Sequence, residues 1–159
     1  MKRISILFLQ TVIVLIGILV LIGLIGFPLT EGRARNLDLF GIYFDSFILY
    51  GYVSSIAFFV ALYKAFRLLA YTGENQVLSL KAVNALKSIK YCAIGLSMLI
   101  ATAGIYISIF HNKEDDPTGF LAMCIVTAFV AVIVATASAI FEKILQNAVD
   151  MKKENILTI

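Results

Sequence analysis

The sequence predicts an all-α protein: a four-helix bundle of membrane-spanning helices, built from residues 1–159 as a single transmembrane domain. Apolar residues make up 61% of the chain, against about 45–50% in soluble domains. Charged residues fall to 14%, against about 25%. The charge is concentrated in short polar stretches, and the apolar runs between them reach the ~20 residues that cross a bilayer's hydrocarbon. A soluble fold would need more charge to cover its surface.

Four apolar runs are long enough to span a membrane. The predicted spans are 4–27, 47–70, 91–110 and 120–141. The first follows a basic start and ends at Pro28. Its apolar run is longer than the ~7–15 residues of a cleavable signal core, so we expect a retained helix. The second is predicted to stop at Thr72-Gly73, because glycine is the preferred residue just past a helix C-terminus.

The fourth helix is predicted to begin at Asp116-Pro117, an acidic N-cap followed by proline at the first helical position. It should also continue past the membrane. Beyond the span, apolar residues recur at helical spacing. They are Ile144, Leu145, Ala148 and Met151. We expect this helix to end near Glu154, and residues 155–159 to form an extended tail within the segment 142–159.

Small residues indicate how the spans pack, since helices in lipid associate where their backbones can approach closely. The fourth span carries Thr127, Ala131, Ala135 and Ala139, and the third carries Ala93, Ser97 and Ala101, with Gly95 and Gly104 nearby. These two spans are predicted to form an antiparallel hairpin. Gly17, Gly23 and Gly26 give the first span a weaker version of the same pattern. Cys92 and Cys124 fall at opposite membrane faces and are predicted to remain free thiols.

Basic residues predict the orientation, because cytoplasmic loops are enriched in Lys and Arg. If both termini are cytoplasmic, ten of the 13 basic residues lie inside, and only Arg33, Arg35 and Lys113 lie outside. The loop 71–90 and the segment 142–159 are then exposed to the cytosol.

Ionisable groups are absent from the central part of every predicted span. Membrane pumps and intramembrane enzymes place such groups at depth, so their absence argues against a proton-coupled transporter and an intramembrane metalloprotease. No phosphate-binding loop, paired-cysteine motif or zinc spacing occurs. His111 with Glu114, Asp115 and Asp116 is better interpreted as a solvated acidic loop with a helix cap than as a metal site. We predict a non-enzymatic protein with no cofactor and no bound metal.

A second hypothesis is a small transporter or pore component, assembled as a homo-oligomer. Hydroxyl side chains would have to line its path. The candidates are Ser54, Ser55, Ser97, Thr102, Thr127 and Thr136.

The polar stretch from Tyr71 to Tyr91 separates the two pairs of spans. Ser79 is a predicted N-cap for a helix that runs on into the third span. In this helix Lys81, Asn84 and Ser88 form a polar stripe, while Leu80, Val83, Leu86 and Ile89 form an apolar one. Lys87 and Lys90 interrupt the apolar side, and their ammonium groups are expected to reach the membrane surface.

Two interpretations of this stretch stay open: an interfacial helix that anchors the loop, or a docking surface for a cytosolic protein. Membrane lipid headgroups are better electrostatic partners for its lysines than nucleic acid, because the lysines are few and close to the membrane.

Several segments carry a resemblance to a known family. They are the basic-then-apolar start, ALYKAFRLLAY, ENQVLSLKAVNALKSIKYCAI and LQNAVDMKKENILTI. With these segments the chain resembles the domain of unknown function 2975 family, small bacterial membrane proteins with four helices. The resemblance extends over essentially the whole chain. It implies a multi-pass protein of the bacterial cytoplasmic (inner) membrane with no established enzymatic activity. Such proteins are often encoded beside a short helix-turn-helix regulator, which implies a membrane partner that binds or sequesters that regulator.

The leading hypothesis is therefore a non-enzymatic inner-membrane regulatory protein that docks a small cytosolic DNA-binding protein and does not bind nucleic acid itself. The predicted contact residues are Glu74, Asn75, Gln76, Ser79, Lys81, Asn84, Lys87, Asn155, Leu157 and Thr158. They combine the distinctive residues of the central stretch with those of the C-terminal tail.

Overall fold

The computed structural model describes residues 2–30, 44–73, 77–110 and 117–157. Within these ranges the chain forms four helices. They are α1 (Lys2–Thr30), α2 (Ser46–Gly73), α3 (Leu80–Phe110) and α4 (Thr118–Leu157). All four are long and apolar enough to cross a membrane. The predicted fold class is confirmed: an all-α membrane protein with four helices.

The helices pack in chain order: α1 against α2, α2 against α3, and most extensively α3 against α4. Contacts between the start of one helix and the end of the next show that neighbours are antiparallel. Ile6 approaches Gly73 across α1 and α2, and Lys90 meets Glu142 across α3 and α4. The start of α1 and the end of α4 therefore lie at the same end of the molecule. We call this the basic end, where α1 and α3 begin and α2 and α4 end; the other is the far end.

The end of α1 differs from the prediction. The helix continues to Thr30, so the expected stop at Pro28 is wrong. Proline has no N–H, and the carbonyl of Leu24 therefore lacks its usual helical donor at Pro28. The hydroxyl of Tyr52 on α2 donates to this carbonyl at 3.2 Å. A side chain from the neighbouring helix thus replaces the missing backbone donor where the chain passes the proline.

The other helix ends follow local capping rules. Asp45 precedes α2, and its Oδ1 accepts a hydrogen bond from the N–H of Phe47 at 2.8 Å. The helix then ends at Gly73, as predicted. The start of α4 at Thr118 agrees with the prediction to within a residue or two, whereas the expected cap, Asp116, lies outside the described residues.

The C-terminal tail is more helical than predicted. α4 continues to Leu157, so an extended conformation is wrong for residues 155–157. Lengthening an existing helix adds a hydrogen bond for each residue fixed, and it does not repeat the unfavourable nucleation step. Thr158 and Ile159 lie outside the described residues.

The predicted pairing of α3 with α4 through small residues is confirmed. Ala93, Gly104, Ala131 and Ala135 are buried. A Cβ on Gly104 would lie 3.5 Å from Cβ of Cys124, which is ordinary van der Waals contact. The prediction fails at Thr127 and Ala101, which are exposed, and at Gly95, where a Cβ would meet nothing within 4 Å. Ser97 and Ala139 are half-buried. Both cysteines are free thiols, as expected.

The interface of α1 with α2 uses one glycine of the three predicted. Gly17 is buried, and a Cβ there would approach the Leu62 side chain to 3.0 Å. A Cβ on Gly23 or Gly26 would meet nothing within 4 Å. α1 therefore approaches α2 closely at Gly17, near the middle of α1.

Burial is concentrated at the basic end. Among the described residues, six of the ten buried apolar side chains lie between Ala82 and Ala93, in the first turns of α3. Most large apolar side chains of the spans are instead exposed on the protein surface, as at Ile105 and Val126. Exposed apolar groups suit contact with lipid, whereas burial of apolar groups is what water enforces.

Candidate docking surface at the basic end

α3 and α4 continue beyond their apolar spans as a packed pair of helices. α4 contains 40 residues and is therefore about 60 Å long, twice the ~30 Å hydrocarbon thickness. The parts that remain are residues 80–90 of α3 and 142–157 of α4, which we call the projecting pair. Because α3 and α4 are antiparallel, both parts extend from the same end of the molecule.

An ion pair closes the projecting pair where it meets the span. Lys90 Nζ lies 2.6 Å from Glu142 Oε2, and the two side chains are only 20% and 19% exposed. The same ammonium lies 4.9 Å from the ring centre of Tyr91. The ammonium group of Lys90 therefore pairs with a carboxylate on α4, and its predicted reach to the membrane surface stays a prediction. The sequence held a signal for this pair: each residue is the first charge beyond its span, and antiparallel pairing brings them together.

The predicted apolar face of α3 is buried within the protein. Val83, Leu86 and Ile89 are buried as expected, together with Ala82, although Leu80 is 47% exposed. α3 lies between α2 and α4, so side chains on more than one face of this segment are covered. Residues 80–110 form one helix. Residues 80–90 therefore do not form a separate helix, and the apolar side chains of Val83, Leu86 and Ile89 are covered by protein.

Ser79 caps α3 as predicted. Its Oγ accepts a hydrogen bond from the N–H of Ala82 at 3.3 Å, and its carbonyl oxygen accepts from Ala82 and Val83 at 3.1 and 3.3 Å. The cap starts the helix about three turns before the span. Of the predicted contact residues, Ser79 thus has a local structural role, at the end of the projecting pair that is farther from the span.

The polar stripe on α3 is accessible. Lys81, Asn84 and Lys87 are exposed, and Ser88 is half-buried with its hydroxyl donating to the Asn84 carbonyl at 2.9 Å. The structure places Asn155 and Leu157 in the last turn of α4. The remaining predicted contact residues lie outside the described ranges: Glu74, Asn75, Gln76 and Thr158.

Two exposed apolar residues on α4 were not identified as contact candidates from the sequence. Ile144 is 59% exposed and Met151 is 60% exposed. They are seven residues apart and therefore share one face of the helix. The sequence grouped them with Leu145 and Ala148 as one apolar stripe, but the buried residue is Val149. The exposed pair therefore adds an apolar component to the surface of the projecting pair.

The comparisons with known proteins bear on the whole chain. The model of a family described as "Protein of unknown function (DUF2975)" matches residues 11–159. The chain belongs to this family. The "Uncharacterized membrane protein YoaS" of Bacillus subtilis (strain 168) is 37% identical over 162 residues, which cover 100% of each chain. No solved structure matches the chain. The resemblance expected from the sequence is confirmed, and this DUF2975 protein is a membrane protein.

Exposed cations give the surface of this DUF2975 protein a positive character. Besides Lys81 and Lys87, α4 exposes further lysines at this end. They are Lys143, Lys152 and Lys153. Two carboxylates of the projecting pair have partners: Glu142 binds Lys90, and Asp150 accepts hydrogen bonds from Gln146 Nε2 at 3.1 Å. The surface is suited to an acidic or anionic partner.

The hydroxyl groups predicted to line a pore form hydrogen bonds within their own helices in this DUF2975 protein. All six donate to a backbone carbonyl three or four residues earlier in their own helix, at 2.7–2.9 Å. They are Ser54, Ser55, Ser97, Thr102, Thr127 and Thr136. Three of them border a cavity described below, but their protons are directed at the helix backbone. Among the described residues, this set forms no hydrogen-bonded path across the span.

Proposed function

We propose that this DUF2975 protein is a non-enzymatic docking protein of the bacterial inner membrane, and that its projecting pair binds a small cytosolic helix-turn-helix regulator. The observation that supports this most directly is the continuation of α3 and α4 beyond the span as a packed pair. Helices that only cross a bilayer need about 20 residues each. The additional turns form a rigid platform on which contact residues hold fixed positions.

The burial pattern supports an aqueous location for this platform. Val83, Leu86 and Ile89 of α3, before Tyr91, are covered by protein, although comparable side chains within the spans are exposed. Water favours such burial, because it penalises exposed apolar area at roughly 25 cal/mol per Å². The distribution of Lys and Arg supports the cytosolic side, through the preference of basic residues for cytoplasmic loops.

The chemistry of the surface suggests which face of a regulator it would contact. Exposed lysines at Lys81 and Lys87 favour an acidic contact face and accelerate its diffusional encounter. The DNA-reading face of a helix-turn-helix protein is basic. The regulator would therefore bind through another face and be held at the membrane, away from the chromosome. Ile144 and Met151 would supply the apolar anchors that usually carry much of the affinity of an interface.

Capture of the regulator tests this proposal. The membrane protein is co-expressed with a short helix-turn-helix regulator of the kind that the family resemblance implies, and the amount of regulator that co-purifies through a tag on the membrane protein is measured. The double variant Lys81→Glu/Lys87→Glu should reduce capture severely, as should Ile144→Ser/Met151→Ser. Lys64→Glu on α2 is the matched charge control and should leave capture unchanged. Absence of the regulator from the wild-type complex, or equal capture by wild type and both double variants, would exclude the projecting pair as its binding site.

The C-terminal residues provide a separate test of the surface. Residues 155–157 are helical, so strand addition by these residues to a partner's sheet is not proposed. Deletion of residues 155–159 removes the last turn of α4 but leaves the Lys90–Glu142 pair intact. A reduction in capture would assign the tail to the docking surface. Unchanged capture would restrict the surface to α3 and to residues 142–154 of α4.

A further inference from the structure

A cavity at membrane depth lies at the opposite end of the molecule from the projecting pair. Its volume is about 420 Å³, and side chains from all four helices line it. Phe47 and Phe120 stand at the far end of the cavity, with their ring centres 5.6 Å apart, and join α2 to α4. Beyond these rings the wall continues to Phe58 on α2 and Leu96 on α3. The size lies within the ~300–1,000 Å³ range of small-molecule sites.

The chemistry of the walls selects an apolar occupant. Among the residues that the structure describes, none of the lining side chains is charged. The two lining tyrosines point their protons at backbone carbonyls: Tyr50 donates to Leu99 at 2.8 Å and Tyr52 donates to Leu24 at 3.2 Å. The lining serine and threonine hydroxyls are likewise bonded to their own helices. A polar or charged ligand would lose its hydration in this cavity and gain few hydrogen bonds in return.

The length and position of the cavity point to a lipid chain. Along α2 the lining residues run from Phe47 to Phe58, a rise of about 16 Å at 1.5 Å per residue. Half of a ~30 Å hydrocarbon core is about 15 Å. The cavity also begins within the first turns of α2 and α4, where these helices enter the membrane. It therefore spans the depth of one leaflet, which is the depth that an acyl chain of that leaflet occupies.

Gly51 leaves open space beside the cavity on the α2 side. It lines the cavity, and a Cβ placed on it would meet nothing within 4 Å. Any larger residue at this position would direct its side chain into free space and reduce the room for a ligand. Gly95 on α3 has equally open surroundings but does not line the cavity. The two glycines therefore form a matched pair for mutagenesis.

We propose that the cavity binds one acyl chain of a phospholipid from the leaflet at the far end. The chain would lie along α2 and α3, below the ring pair of Phe47 and Phe120. Binding would fill the space between α2 and α4. This site is independent of the docking proposal, because the two lie at opposite ends of the molecule.

Photolabelling in vesicles tests the site. The protein is reconstituted with phosphatidylglycerol that carries a diazirine in one acyl chain, and adducts are mapped by mass spectrometry after irradiation. Adducts on residues 47–58 and 120–127 are compared with those on Phe129 and Ile133, which are exposed outside the cavity. The measured quantity is the ratio of adducts at the cavity residues to adducts at these two exposed residues. Gly51→Leu should lower this ratio several-fold, and Gly95→Leu should leave it unchanged. Equal ratios in wild type and both variants would mean that only surrounding lipid is labelled, and would overturn the proposal.

Two further measurements keep the outcome decisive. Thr127→Leu on α4 fills the same cavity from another wall, and should also lower the ratio; an unchanged ratio in this variant counts against the site. Native mass spectrometry of wild-type protein released from its own membranes identifies the occupant. A retained phospholipid that is lost in Gly51→Leu supports the proposal. Retention of a different apolar molecule, lost in the same variant, would overturn the assignment to phospholipid.

Discussion

The hydrogen bond from Tyr52 to the Leu24 carbonyl predicts that two residues on different helices are energetically coupled. Pro28 removes the N–H that would otherwise bond this carbonyl, and the Tyr52 hydroxyl replaces it. In wild type, Tyr52→Phe should leave the carbonyl without a donor. In a Pro28→Ala background the backbone supplies that donor again, so the same substitution should have almost no effect. The expected result is a coupling that disappears when proline is removed.

The magnitude follows from the geometry. Hydrogen bonds contribute about 0.5–1.5 kcal/mol net in proteins, and those between membrane helices average about 0.6 kcal/mol. The oxygen–oxygen distance of 3.2 Å is long for a hydroxyl donor. We therefore expect Tyr52→Phe to lower the free energy of unfolding by about 0.5–1 kcal/mol in wild type, with a coupling to Pro28 of the same size.

A double-mutant cycle measures this coupling. Wild type, the two single variants and the double variant are unfolded with SDS in mixed micelles, and helix loss is followed by far-UV circular dichroism. Tyr50→Phe is the control, because the carbonyl that Tyr50 contacts belongs to Leu99 on α3 and not to a residue of α1. Its cost should be the same with Pro28 or Ala at that position. An equal cost of Tyr52→Phe in both backgrounds would refute the idea that the hydroxyl replaces the missing donor.

Three further predictions use the same unfolding assay. Leu86→Ala, in the buried part of α3, should lower the free energy of unfolding by about 2–4 kcal/mol. Met98 is 66% exposed within the span, so Met98→Ala should change this free energy by less than about 0.5 kcal/mol. Equal effects of the two substitutions would contradict a core at the basic end. Ala82→Leu should cost about 1–3 kcal/mol by overpacking, because Ala82 is 0% exposed, and a neutral result would show that the segment repacks freely. Gly17→Ile should lower the free energy of unfolding by about 1–3 kcal/mol, because it crowds the α1–α2 interface. Gly23→Ile, in open space, is the neutral control. Similar values for both substitutions would argue against close packing at Gly17.

Local and bilayer-scale signals made much of the fold predictable. Span positions follow from hydrocarbon thickness, which sets the same minimum length for every helix. Ser79 could be identified as a cap because its hydrogen bond to Ala82 lies within one turn. Ala131 and Ala135 could be assigned to the α3 interface because small residues permit close backbone approach in lipid.

Features that depend on the placement of neighbouring helices were not predictable in the same way. The continuation of α1 past Pro28 requires a hydroxyl that lies 28 positions from the carbonyl it serves. The cavity depends on the separation of α2 and α4, which no local pattern encodes. On α4, two neighbouring faces are both partly apolar, and only the register with α3 decides that Val149 is buried and Met151 exposed. The exposed side chains of Ile144 and Met151 therefore join the docking candidates on that helix.

The ion pair provides a measure of the membrane boundary that does not depend on hydropathy. Placing a charged side chain near the centre of the bilayer costs free energy. Lys90 and Glu142 therefore belong at or beyond the edge of the hydrocarbon. From Lys90 to Phe110, α3 rises about 30 Å, and this distance equals the thickness of the hydrocarbon core. The helix therefore crosses the bilayer between these residues and leaves about 15 Å of α3, residues 80–90, on the water side. The most completely buried apolar side chains of α3 fall within that aqueous segment, where the hydrophobic effect requires them to be covered.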